Sequence, residues 1–293
     1  MKRVFVPVER LSTLQEDLRR FEEGHKLNEY QERIVNSMYD YRQPFVDFDI
    51  RSVCVVATPI WASQNLSFEF GDQECVFPMP GGRINPDDSP EGLLARFAAE
   101  RIRAAPVENL PKKRLAVCSG LAVYGRNNIT YVEGMGSYHI IELFYTDRPC
   151  DDDPWREVVG MEGCASCNEC IRACATKAIL ADRFLIDNER CLTFMNQGAQ
   201  PESFPKWVDP YAHNCVHDCL ACQSVCPKNA PYLANIAPLV SFTEMETRML
   251  MCAIPYEWMG NEMRKKIDQV DLKPYLAAFP RNMRALLRQR KLA

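Results

Sequence analysis

Nine of the chain's fourteen cysteines fall between Cys164 and Cys226. The first run reads Cys164-Ala-Ser-Cys167-Asn-Glu-Cys170-Ile-Arg-Ala-Cys174, a C-x2-C-x2-C-x3-C spacing. Spacings this short let the first three thiolates converge on one cuboidal iron–sulfur cluster, while the fourth, carried onward by a helical turn, points at a second. The second run, Cys219-Leu-Ala-Cys222-Gln-Ser-Val-Cys226-Pro227, is one thiolate short of a full set, and Cys191 between the runs can supply it. Reciprocal exchange then puts Cys164, Cys167, Cys170 and Cys226 on one [4Fe-4S] cluster and Cys174, Cys191, Cys219 and Cys222 on the other. Zinc also takes C-x2-C pairs, but paired zinc sites seldom use the x2-x2-x3 run. Cys215 is a substitute ligand whose spacing fits less well. Cys54, Cys75, Cys118, Cys150 and Cys252 stand alone and read as small buried hydrophobes.

The rest of the chain must position these thiolates and give them something to reduce. With 293 residues, 47% hydrophobic and 25% charged, it has room for one large core or two smaller ones and needs no covalent staples. The N-terminus turns charged before an apolar signal region forms, and no run reaches the length of a membrane span, so a cytoplasmic location is expected, where clustered thiols ligate metal more often than they form disulfides. The net charge of −4 gives no general pull toward nucleic acid. The local exception is Arg281, Arg284, Arg288, Arg290 and Lys291, read first as a solvated helix face and second as an RNA contact.

Residues 1 to about 50 have helical spacing through Leu11, Leu14 and Leu18. Ser52 to Thr58 reads as a buried strand and Phe77 to Asp88 as a loop; Ser89-Pro90 opens a helix expected to run from Glu91 through Ala105. Asn128 to Glu133 and Tyr138 to Tyr145, split by Gly134-Met-Gly136, read as a hairpin. The expected domains are an α/β block over 1-150, a cysteine-rich double-cluster block over 151-235 and a helical segment over 236-293.

The first cysteine run has the spacing of bacterial ferredoxins, except that Ala175 stands where proline usually follows. The order of elements resembles the epoxyqueuosine reductase and reductive dehalogenase family. Three stretches carry that resemblance. Ser119-Gly-Leu-Ala-Val-Tyr-Gly-Arg-Asn-Asn128 is similar to the family's A-G-L-G-W-x-G-K-[NH] segment and is followed by Gly136-Ser137 and Glu142 to Asp147. Asn188-Glu-Arg-Cys191-Leu-Thr is similar to D-x-R-R-C-I-S, and Asp218-Cys219-Leu-Ala-Cys222-Gln-Ser-Val-Cys226-Pro-Lys-Asn229 to D-D-C-Q-x-x-C-P-W-N.

The resemblance implies an α+β fold: a mixed α/β corrinoid-binding domain, a two-cluster ferredoxin-like module and C-terminal helices. It implies an oxidoreductase whose clusters relay electrons to the cobalt of a cobalamin bound by Arg126, Asn127, Ser137, Leu192, Thr193 and Asp218. Val107-Glu108-Asn-Leu-Pro111 lies where the family's V-D-S-A-P segment carries an acid, so the resemblance makes Glu108 the candidate proton donor, set against its reading as a solvated loop residue. His139 is a second possible donor, set against its more common reading as a satisfied core histidine. The expected partners are a low-potential ferredoxin or flavodoxin and an unknown small substrate or corrinoid partner, with tRNA not favoured. The family's D-Y-H segment has no counterpart, and Lys112-Lys-Arg114 replaces its E-R. Those departures keep open a second class of reading, an electron carrier or activating protein with no substrate of its own.

Overall fold

The computed structural model describes residues 1–198 and 203–290. The chain divides into two compact units, one of Met1–Pro59 and Asn85–Ser166, the other of Ile60–Ile84 and the residues from Cys167 onward.

The first unit is built on an antiparallel four-stranded sheet of order β1-β2-β8-β5, where β1 is Lys2–Pro7, β2 Ser52–Pro59, β5 Ala104–Val107 and β8 His139–Thr146. Strand β2 is buried on both faces from Ser52 to Thr58, which fits its unbroken apolar, β-branched sequence. On one face Cys54, Val56 and Phe144 pack with Leu93, Phe97 and Ile102. The Phe97 and Phe144 rings meet edge to face at 5.2 Å. Each side chain fully buried in this way stabilises the fold by about 1.5–3 kcal/mol. Helices α1 (Arg10–Gly24) and α2 (Glu29–Arg33) follow β1, and α4 (Lys112–Cys118) packs on β2 and β8.

Helix α3 (Pro90–Ala99) begins as its sequence indicates, with Ser89 Oγ accepting from Gly92 N at 3.2 Å and Pro90 in the first turn. It stops six residues before the expected Ala105. The chain turns at Arg101, which has φ of 61°, and enters β5, whose register puts Ala105 opposite Tyr145.

The expected hairpin between residues 128–133 and 138–145 does not form. β7 (Thr130–Tyr131) instead pairs back onto β6 (Val123–Tyr124), and β8 lies between β2 and β5. Ile141, Leu143, Phe144 and Tyr145 are all buried, so β8 has apolar residues for both faces and takes a central place. Gly125 makes the β6–β7 turn possible: a Cβ there would stand 2.5 Å from the Tyr131 ring and 2.6 Å from Asn127 Oδ1.

In the second unit β3 (Ser63–Phe70) forms a hairpin with β4 (Gln73–Met79) and pairs in parallel with β9 (Ile236–Phe242). That parallel pair draws residues 60–84 out of the N-terminal block, so the expected boundaries near 150 and 235 do not coincide with the two units. Phe68 stacks on Phe242 at 5.3 Å and meets Phe279 at 5.5 Å. Around them pack α8 (Glu244–Met251), α9 (Asn261–Gln269) and α10 (Phe279–Gln289), matching the helices expected beyond Thr243. Thr243 caps α8 in a reciprocal box with Glu246. Three short helices carry or flank cysteines: α5 (Glu169–Ala173), α6 (Leu192–Gln197) and α7 (Ala221–Ser224). Among the described residues no helix is long and apolar enough to cross a membrane.

Candidate metal centre

The cysteine runs fold into short helical turns that aim backbone and side-chain N–H groups at sulfur. Cys170 lies in α5 and Cys174 directly after it; a turn with Lys177 at φ 58° brings Ala178 N to 3.2 Å from Cys174 Sγ. Cys191 is the N-cap of α6, beside the first-turn amides of Thr193 and Phe194, and these with the Thr193 hydroxyl pull its pKa down. Asp218, at φ 58°, turns the chain into Cys219, whose sulfur accepts from Ala221 N and, at 3.2 Å, from Asn214 Nδ2. Cys222 lies in α7, which packs on α5, and Cys226 precedes a 3-10 turn that starts at Pro227.

Three of the thiols assigned to the second set are within electrostatic reach of one another. Cys174 raises the pKa of Cys191, and Cys174 and Cys191 both raise that of Cys219. The largest influence on Cys191 and Cys219 is burial, which also pushes the thiols up, while the N–H donors pull them down. Such donors stabilise a thiolate once iron displaces the proton, and hydrogen bonds to ligand sulfur are a main lever on cluster potential. This donor set fits an iron–sulfur cluster. Among the described residues, no three His, Cys, Asp or Glu side chains converge tightly enough to hold a single metal ion.

Cys215 is buried, and its Sγ donates to Asn214 Oδ1 at 3.1 Å. Cys54, Cys75 and Cys118 are buried too, and burial pushes Cys54 up to about 12 and Cys118 up to about 11. Cys150 is partly buried, and Cys252, expected to be buried, is exposed where α8 ends. Cys164 is counted with the first unit and the other seven expected ligands with the second.

The remaining expected site residues are divided between the two units. In the first, Glu108 is exposed just past the end of β5. His139 sits in β8, its Nδ1 3.1 Å from Gly136 O and its Nε2 3.0 Å from Thr130 Oγ1; burial lowers its pKa to about 4, so the ring is neutral at neutral pH. This is a satisfied histidine. Arg126 Nη1 donates to Cys164 O at 3.2 Å and Ala165 O at 3.3 Å, and Asn127 Nδ2 lies 3.2 Å from Tyr131 Oη. Ser137 is buried. In the second unit Leu192 packs with Val208 and Ala212, Thr193 serves Cys191, and Asp218 Oδ1 accepts from Gln197 Nε2 at 2.6 Å. The polar groups assigned to cobalamin are thus engaged within the chain. As a set they do not fit a corrin.

Asn214 was not anticipated from the sequence, though it holds two cluster-region elements together: its Oδ1 also accepts from Leu220 N at 3.1 Å. Asn282 was missed as well, and Arg281, expected on a solvated helix face, is instead buried beside it. Asn282 Nδ2 donates to Asn196 O at 2.9 Å and Val216 O at 3.0 Å, tying α10 to the end of α6 and the approach to Cys219. Lys291, part of the expected basic face, lies outside the described residues.

Comparison with known proteins places this geometry. Residues 163–229 match the 4Fe-4S double cluster binding domain. Epoxyqueuosine reductase of Shewanella oneidensis is 29% identical over 171 residues, which cover 57% of this chain and 39% of the relative, so the chain spans about two fifths of that protein's length. The structure of epoxyqueuosine reductase from Bacillus subtilis superposes with a TM-score of 0.61 at 19% identity, covering 100% of this chain and 78% of the other. An epoxyqueuosine reductase crystallised with an epoxyqueuosine-modified tRNA-Tyr stem loop gives 0.63, also at 19% identity and with the same coverage. This chain therefore carries a 4Fe-4S double cluster binding domain and is similar, in sequence over 171 residues and in fold over its length, to epoxyqueuosine reductases.

Proposed function

We propose that the protein is an iron–sulfur oxidoreductase of the epoxyqueuosine reductase type, with two [4Fe-4S] clusters and a modified tRNA as substrate. The observation that carries this reading is the double-cluster match over residues 163–229. The N–H donors gathered on Cys174, Cys191 and Cys219 support it. Cys164, Cys167, Cys170 and Cys226 hold one cluster, and Cys174, Cys191, Cys219 and Cys222 the other. When bound, the clusters supply single electrons at low potential. The chain fixes each ligand through its local turn, and its N–H groups stabilise the negative charge that builds on sulfur.

Although the sequence alone does not favour tRNA, the likeness to a reductase crystallised with a tRNA stem loop supports it as the substrate in this reading. Similarity to named reductases also favours an enzyme over a carrier without a substrate. A low-potential ferredoxin or flavodoxin feeds the clusters. Glu108, exposed after β5, is the proton donor in this reading. His139 holds Gly136 and Thr130 instead.

Cobalamin belongs to the finer form of the reading and follows from the family resemblance alone. The test is anaerobic reconstitution with iron, sulfide and hydroxocobalamin, then metal analysis and turnover of an epoxyqueuosine-bearing stem loop scored by nucleoside mass spectrometry. About eight irons per chain and formation of the reduced nucleoside are expected. One cobalt per chain would restore the corrinoid; eight irons without turnover would leave an electron carrier. Turnover undiminished in Glu108→Ala would remove that residue's role.

A further inference from the structure

The second unit also holds a cavity of about 330 Å3, walled by the segment from Ser203 to His213 and by α10. Its wall is basic. Lys206, Arg281, Arg284 and Arg288 line it together with Phe204 and His213, and among the described residues no Asp or Glu does. Arg281, Arg284 and Arg288 recur at i, i+3 and i+7, which puts them on one face of α10. Arg284 and Arg288 are exposed, and neither has an ion-pair partner among the described residues.

The inner end of the cavity is built rather than incidental. Arg281 is 8% exposed, lies 4.3 Å over the Phe204 ring and donates from Nη2 to Met195 O at 2.6 Å. Phe204 in turn meets the His213 ring at 4.1 Å. His213 is 4% exposed, and its Nδ1 is buried without a hydrogen-bond partner. Burial and the charge of Arg281 hold its pKa down to about 4. Four cations around one recess and an orphaned ring nitrogen both disfavour the empty state, and one bound anion relieves both.

We propose that this cavity binds a phosphoryl group, held by the guanidinium forks of Arg284 and Arg288 and by Lys206 above Arg281 and His213. Arginine forks match the oxygens of phosphate, and the volume leaves room for the sugar or base attached to it. Two sources carry that chemistry: the backbone of an RNA strand, or a free phosphate ester such as a nucleoside monophosphate. The inference stands on the cavity alone and survives if the reductase reading fails.

The test uses the cluster-loaded full chain under anaerobic conditions. Inorganic phosphate and AMP are titrated by calorimetry, and a fluorescent RNA stem loop by anisotropy at two salt concentrations. Arg284→Gln/Arg288→Gln alters two exposed side chains, and Lys265→Gln on α9 is the control, with iron content and circular dichroism confirming the fold. Binding of phosphate, AMP or RNA is expected, weakened about tenfold or more in the double variant and unchanged in the control. For RNA, the slope of log K against log salt should fall by about two. AMP that displaces the RNA marks the cavity as a phosphate-ester site, while RNA binding that resists AMP assigns it to the strand backbone. A shift of the His213 ring resonances on adding phosphate reports the inner end directly. No binding of any of the three probes at millimolar concentration, or full binding by the double variant, would overturn the proposal.

Discussion

Removing the amide of Asn214 should lower the potential of one cluster and leave the other alone. Asn214 Nδ2 lies 3.2 Å from Cys219 Sγ and 3.2 Å from Ala212 O, so it braces the segment before the second cysteine run while donating to the sulfur of a proposed ligand. A hydrogen bond to a charged acceptor contributes about 1.5–3 kcal/mol. The electron added on reduction is spread over the whole cluster, so only part of that, about 1 kcal/mol, distinguishes the reduced from the oxidised state. At roughly 59 mV per 1.4 kcal/mol for one electron, Asn214→Ala should shift one potential down by about 40 mV. Asn214→Asp keeps the acceptor for Leu220 N but puts a carboxylate against the sulfur, so its shift should have the same sign and be larger. A potentiometric titration followed by electron paramagnetic resonance on reconstituted protein reads both clusters separately. If Asn214→Ala keeps its full iron and both potentials stay where they were, Cys219 is not a cluster ligand or its sulfur does not depend on this donor.

Three further outcomes are expected. Cys191→Ser should drop iron from about eight to about four per chain while Cys215→Ala keeps all of it; the reverse pattern would exchange the roles of the two cysteines. Asn282→Ala leaves two buried carbonyls and Arg281 short of a partner, and should destabilise the protein to anaerobic urea unfolding by about 3 kcal/mol; a loss well under 1 kcal/mol would mean that α10 is held by its apolar face alone. His139 has its pKa lowered from 6.5 to about 4, so its contribution is complete above pH 6.5 and is lost as the pH falls through about 4. Hydrogen exchange of β8 should therefore show the wild type losing about 2 kcal/mol more than His139→Gln between about pH 7 and 5, and equal losses would refute the buried neutral ring.

What the sequence made legible was local. The Ser89-Pro90 helix start and the unbroken apolar run of β2 are each set by a few neighbouring residues and have their counterparts in the fold, and the cysteine spacing has its counterpart in the double-cluster match over residues 163–229. What it concealed depends on partners far along the chain. β3 pairs in parallel with a strand that begins at Ile236, and no local pattern in Ser63–Phe70 marks that register. The expected hairpin before β8 failed for the same reason: Gly134 and Gly136 signal a turn, but the burial of both faces of β8 is satisfied only between β2 and β5. The site divides along the same line. Cysteine types and spacing nominate the ligands without any fold, because one cluster demands that geometry wherever it occurs. The groups that set a ligand's hydrogen bonding, such as Asn214 and the first amides of α6, carry no spacing rule of their own. They become functional only once the turn at Asp218 and the N-terminus of α6 bring them to sulfur, so the tuning of this protein's chemistry is written in its turns and its identity in its cysteines.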